Sequence, residues 1–106
     1  MAKYLFAGTY TAAGAKGVIK DGGSGRRAAI EKLLGSVGGR LEALYFAFGS
    51  TDVYLIADLP DNKAAAAVGL AVGQSGMAAT NTTVLLTPEE VDAAAKMNVS
   101  YRPPGG

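Results

Sequence analysis

Hydrophobic residues recur along this chain in two alternating rhythms, a period of two and a period near 3.6, and the switches between them mark out its elements. "KYLFAGTY" (Lys3 to Tyr10) predicts a strand with Tyr4, Phe6, Gly8 and Tyr10 on one face and Lys3, Leu5, Ala7 and Thr9 on the other. "TAAGAKGVIKDGGSG" is rich in glycine and small residues and predicts a long loop ending at a helix start, with Ser24 or Asp21 as the cap. Ile30, Leu33, Leu34 and Val37 then fall at the spacing of one buried helical face, and Gly38-Gly39 ends that helix. "RLEALYFAFG" (Arg40 to Gly49) predicts a second strand, with Leu44, Phe46 and Phe48 on one face and Leu41, Ala43, Tyr45 and Ala47 on the other. "GST" (Gly49 to Thr51) turns into a third strand that runs from Asp52 through Asp58, so the second and third strands predict a hairpin.

Asp61 is placed to cap an alanine-rich helix from about Asn62 to Val72. "AATNTTVLL" (Ala78 to Leu86) is β-branched and predicts the fourth strand. "TPEE" is a helix start: Thr87 caps, Pro88 takes the first helical position and Glu90 completes a capping box. The final helix fades near Met97, and "NVSYRPPGG" (98–106) follows as a tail.

The predicted order is βαββαβ plus a C-terminal helix. It specifies an α+β, ferredoxin-like domain over residues 1–97, with two helices on one face of a four-stranded antiparallel sheet. The first two strands are apolar on both faces, and helices cover only one. The other face predicts a second copy of the chain packed sheet to sheet, so at least a homodimer.

Composition narrows the chemistry. The chain has 106 residues and 49% hydrophobic content, enough for one domain with a real core. Its formal net charge is +1, without the basic footprint of a nucleic-acid binder. No apolar run approaches the ~18 residues of a membrane span, and the expected setting is cytoplasmic. Cysteine, histidine and tryptophan are all absent. That leaves no thiol nucleophile, no imidazole base and none of the commonest metal ligands, so no metal and no cofactor is expected. An enzyme built from this chain would have to use Asp, Tyr, Lys, Glu, Ser or Thr.

In order and spacing, "YTAAGAK" (Tyr10 to Lys16), "GGRLEALYFAFGSTD" (Gly38 to Asp52), "PDN" (Pro60 to Asn62) and "SGMAATNT" (Ser75 to Thr82) resemble the GYD domain family. These are small bacterial proteins of the dimeric α/β barrel type, and the resemblance covers roughly residues 3 to 92. It implies a ferredoxin-like fold and a dimer, and no established activity. The family's glycine, tyrosine and aspartate fall at the hairpin. Gly49 and Asp52 match, and Thr51 stands in the tyrosine's place.

Three groups of residues are candidates for chemistry. Asp52 and Asp58 share a strand face but lie roughly 20 Å apart at ~3.3 Å per residue, too far to share a metal or a proton within one chain. The plainer reading gives Asp52 to the turn after Gly49 and Asp58 to the strand's wet end. Tyr10, Tyr54 and Asp52 are the candidate pocket groups and the catalytic candidates. Tyr54 is expected on a face with Tyr4, Phe6, Tyr10, Leu44, Phe46 and Phe48, lining a pocket against a partner sheet or forming the interface itself. The stretch "GAKGVIKDGGSGRR" (Gly14 to Arg27), carrying Lys16, Lys20, Arg26 and Arg27, is a candidate anion-binding loop, although no Walker pattern closes it. Three functions remain open: a homo-oligomer that binds a small ligand, a cofactor-free oxygenase, isomerase or lyase using Asp52 and Tyr54, and a structural assembly protein.

Overall fold

The computed structural model describes all residues, Met1–Gly106. Its elements are β1 (Ala2–Tyr10), α1 (Ala12–Gly35), β2 (Arg40–Phe46), β3 (Val53–Leu59), α2 (Asn62–Gln74), β4 (Ala78–Leu85) and α3 (Pro88–Ala95). The strands form one antiparallel sheet in the order β2-β3-β1-β4, with α1 and α2 on one face. This is the ferredoxin-like α+β arrangement.

The core lies between the sheet and the two helices. Tyr4 and Phe6 of β1 and Ala57 and Leu59 of β3 meet Ile30 and Leu34 of α1 and Ala64, Ala65 and Val68 of α2. Each fully buried large side chain contributes about 1.5–3 kcal/mol. The Tyr4 hydroxyl donates to Asn62 Oδ1 at 2.7 Å, so the one polar atom that this ring carries into the core is satisfied. α2 starts as expected: Asp61 is extended and accepts the Ala64 N–H at 2.9 Å. At α3 the capping box of Thr87 and Glu90 is present in both directions.

The largest departure from the sequence pattern is α1. The glycine-rich stretch expected as a loop is helical from Ala12, and the cap is Thr11 rather than Ser24 or Asp21. Thr11 accepts the Gly14 N–H at 3.2 Å, and its own N–H donates to Met77 O at 2.9 Å. Gly14 is small for packing: a Cβ there would lie 1.9 Å from Met77 O. Glycine in this segment marks close approach, not a loop. The helix bends once, at Gly22, whose φ of 72° and ψ of 168° are open essentially to glycine alone.

Two smaller corrections concern the hairpin. β2 ends at Phe46, short of the predicted Gly49, and Phe48 is fully exposed in the connection. The register pairs Tyr54 with Ala7 and with Tyr45, which puts Tyr54 on the face away from the helices. It therefore does not share a face with Tyr4, Phe6 or Leu44, as the sequence had suggested. A bulge between Leu41 and Ala43, with Glu42 as the extra residue, changes which β2 side chains face the helices partway along the strand.

That second face carries Leu5, Ala7, Ala43, Tyr45, Tyr54, Ile56 and Leu85, and no element of the chain covers it. α3 has no buried residue and no extensive contact with another element. The radius of gyration is 16.8 Å, against about 13 Å for a compact domain of this length. Val91 of α3 and Met97, Val99 and Tyr101 after it are exposed.

Candidate functional site

Under the two helices, toward the Tyr10 end of β1, the layers part around a half-enclosed cavity of about 450 Å³. Phe6, Gly8, Val53 and Leu55 form its floor, Val18 and Ile30 of α1 one wall, and Val68 and Val72 of α2 the other. Gly8 lets β1 lie close to Val53: a Cβ there would come within 2.9 Å of Val53 Cγ1. Gly17 also lines the cavity, and a Cβ there would meet nothing within 4 Å. Thr11 and Gly14 anchor the start of α1 against Met77, and the bend at Gly22 redirects the helix over the opening.

Charge enters at that bend. Asp21 and Arg26 both line the cavity, with Arg26 Nη1 3.7 Å from Asp21 Oδ2. This exceeds hydrogen-bond length, so the guanidinium keeps donors free for another acceptor. The remainder of the lining is predominantly apolar, the usual composition of a small-molecule site.

The sequence candidates disperse over the molecule. Tyr10 lines the cavity and packs on Gly14. Asp52 lies just before β3. Its Oδ2 accepts the Tyr10 backbone N–H at 2.9 Å, and its own N–H donates to Gly8 O at 2.9 Å. The Asp52 side chain thus braces the end of β1, while its carbonyl accepts the Ala47 N–H at 2.8 Å and closes the connection between β2 and β3. Tyr54 stands on the open sheet face, 42% exposed. Lys16 is exposed on the helix, since the anion-binding loop that was to hold it does not exist as a loop. Asp52 and Tyr10 are brought together; Tyr54 and Lys16 are not.

Sequence reasoning missed two groups. One is the cavity setting of Arg26 and Asp21, already candidates as an anion-binding residue and a helix cap, together with Gly17 and Val18, hidden because their segment reads as a loop. The other is an ionic cluster on the open face. Asp58, expected at a wet strand end, is buried at 5% exposure. Lys3 Nζ donates to its Oδ1 at 2.9 Å and Arg40 Nε to its Oδ2 at 3.1 Å, while Lys3 also pairs with Glu42. Lys3 and Arg40 are its cross-strand partners on either side. The Lys3 hydrogen bond, helped by Arg40, holds the Asp58 carboxyl below the ordinary carboxylate range, although burial opposes this. Lys3 is raised above the ordinary lysine value by its bonds to Asp58 and then Glu42. The only signal for this cluster was the register, which charges alone do not reveal.

A four-stranded antiparallel sheet with α1 and α2 on one face, a cavity beneath them and a bare second face defines an α+β, ferredoxin-like domain. The GYD domain model matches residues 4–95, and the chain belongs to that family. No curated protein and no solved structure matches it. Asp52 lies within the matched residues and ties β3 to β1. No helix is long and apolar enough to cross a membrane.

Proposed function

We propose that this GYD-domain protein binds a small, largely apolar molecule in the cavity between its helices and sheet, and that its open sheet face joins copies of the chain into a homo-oligomer. The cavity carries this reading. The sheet and helices leave a half-enclosed cleft of about 450 Å³ between them, with a predominantly apolar lining, the usual character of a small-molecule site. The supporting observation for assembly is the uncovered apolar face around Leu5, Tyr54 and Ile56.

Proton-transfer catalysis has less support. Of Tyr10, Asp52 and Tyr54, only Tyr10 lines the cavity, and Asp52 is engaged by a backbone N–H. The site offers a shaped apolar space with one charged edge, which suits binding.

The test is an amide NMR titration with 1-octanol. Binding in the cavity predicts saturable shifts at Gly8, Gly17 and Val18. Gly17→Leu, which fills the space, should abolish them while the circular dichroism spectrum is kept. Shifts confined to Tyr45, Tyr54 and Ile56, or no saturable shift, would contradict the reading.

A further inference from the structure

We infer that the ligand of this cavity is an apolar monocarboxylate whose carboxylate is held by Arg26 in exchange for Asp21. The inference rests on the cavity being the binding site and names the chemistry that site selects.

Arg26 is the one cationic side chain on the cavity wall and Asp21 the one anionic. Their 3.7 Å separation leaves guanidinium donors unspent, and a planar guanidinium matches a carboxylate in a paired, two-bond geometry. Arg26 is also the more withdrawn of the two, its side chain 31% exposed against 43% for Asp21. A ligand head therefore meets the guanidinium with less competition from water, while Asp21 can swing outward.

The bend at Gly22 sharpens the preference. Asp21 ends the first helical segment, where the last carbonyls carry partial negative charge. Arg26 lies in the first turn of residues 23–35, where free N–H groups carry partial positive charge. Each charge stands at the end of a helix that disfavours it, offset only by its neighbour. A carboxylate placed beside Arg26 sits at a helix start, the favourable end, and releases Asp21 to water. A neutral alcohol gains none of this, and an amine would have to face Arg26.

The test compares octanoate, 1-octanol and octylamine by calorimetry on the full chain. Octanoate is expected to bind at least about tenfold more tightly than 1-octanol, the range of a charge-assisted pair. Arg26→Gln should erase that preference, so that octanoate and 1-octanol bind alike, while Asp21→Asn should tighten octanoate. Melting curves establish that both variants fold. Equal binding of octanoate and 1-octanol, an Arg26→Gln protein that keeps the preference, or octylamine as the tightest ligand would overturn the carboxylate assignment and leave the cavity reading intact. If none of the three binds the unaltered protein, both fall.

Discussion

Asp52 reaches across from the start of β3 and accepts the backbone N–H of Tyr10 at 2.9 Å, while its own N–H returns to Gly8 at the same distance. Those two bonds hold the end of β1 against the start of β3 where β1 leads into α1, so Asp52 acts as a brace beside the cavity floor.

Asp52→Ala should therefore destabilise the fold by about 1–3 kcal/mol, because it strands a part-buried N–H. Asp52→Asn keeps an acceptor and should cost less than about half as much. Urea unfolding of the two variants measures the difference. Equal losses would mean that charge, not the brace, is what matters at this position.

Two glycines of α1 should respond in opposite directions. Gly14→Ala drives a Cβ into Met77 O and should lose several kcal/mol, roughly the scale of backbone overpacking. Gly17→Ala meets nothing within 4 Å and replaces a poor helix former, so it should gain up to about 1 kcal/mol. Thermal melts of the pair report this. No gain at Gly17 would count against a helix beginning at Ala12.

That pair of glycines also shows where sequence stops being legible. The strands, the caps at Asp61 and Thr87 and the buried stripe of Ile30 and Leu34 follow from period and local chemistry, and the fold class follows from their order. α1 does not, since glycine looks alike whether it breaks a helix, admits a neighbouring carbonyl or leaves room for a ligand. Only the position of Met77, far along the chain, distinguishes these at Gly14. Tyr54 was misplaced for a similar reason: parity within β3 was right, but its pairing with Ala7 and Tyr45 is a property of the register. Arg26 was legible as an anion-binding candidate, but its place beside Asp21 on a cavity wall depends on the bend between them.

The pH dependence has a definite sign at Asp58. Its folded carboxyl titrates below the ordinary value, so the stability it contributes is present above the unfolded carboxylate range and is lost as pH falls through the folded value. Lys3 titrates above the ordinary value, so its contribution is complete below the unfolded lysine range and is lost as pH rises through the folded one. Asp58→Asn should flatten the acid limb of a stability–pH profile and also remove part of the alkaline loss. An unchanged acid limb would show that the cluster is not coupled to folding.

The open face should respond to charge but not to loss of a hydroxyl. Ile56→Asp puts a carboxylate into the proposed sheet-to-sheet interface and should weaken self-association by more than about 100-fold. Tyr54→Phe should leave 1-octanol affinity within about twofold, since Tyr54 faces away from the cavity. Sedimentation velocity and the octanol titration read these out. A Tyr54→Phe protein that loses ligand would return the site to the partner side of the sheet.

The central claim is a division between the two faces: ligand under the helices within each chain, partner on the open face. Native mass spectrometry of the unaltered protein and of Ile56→Asp, each with octanoate, tests it in one measurement. The unaltered protein should appear as a multiple of the 10.7 kDa chain carrying one octanoate per chain, and Ile56→Asp as a single chain still carrying one. An unaltered protein that runs as a single chain, or octanoate that disappears when the assembly comes apart, would contradict it.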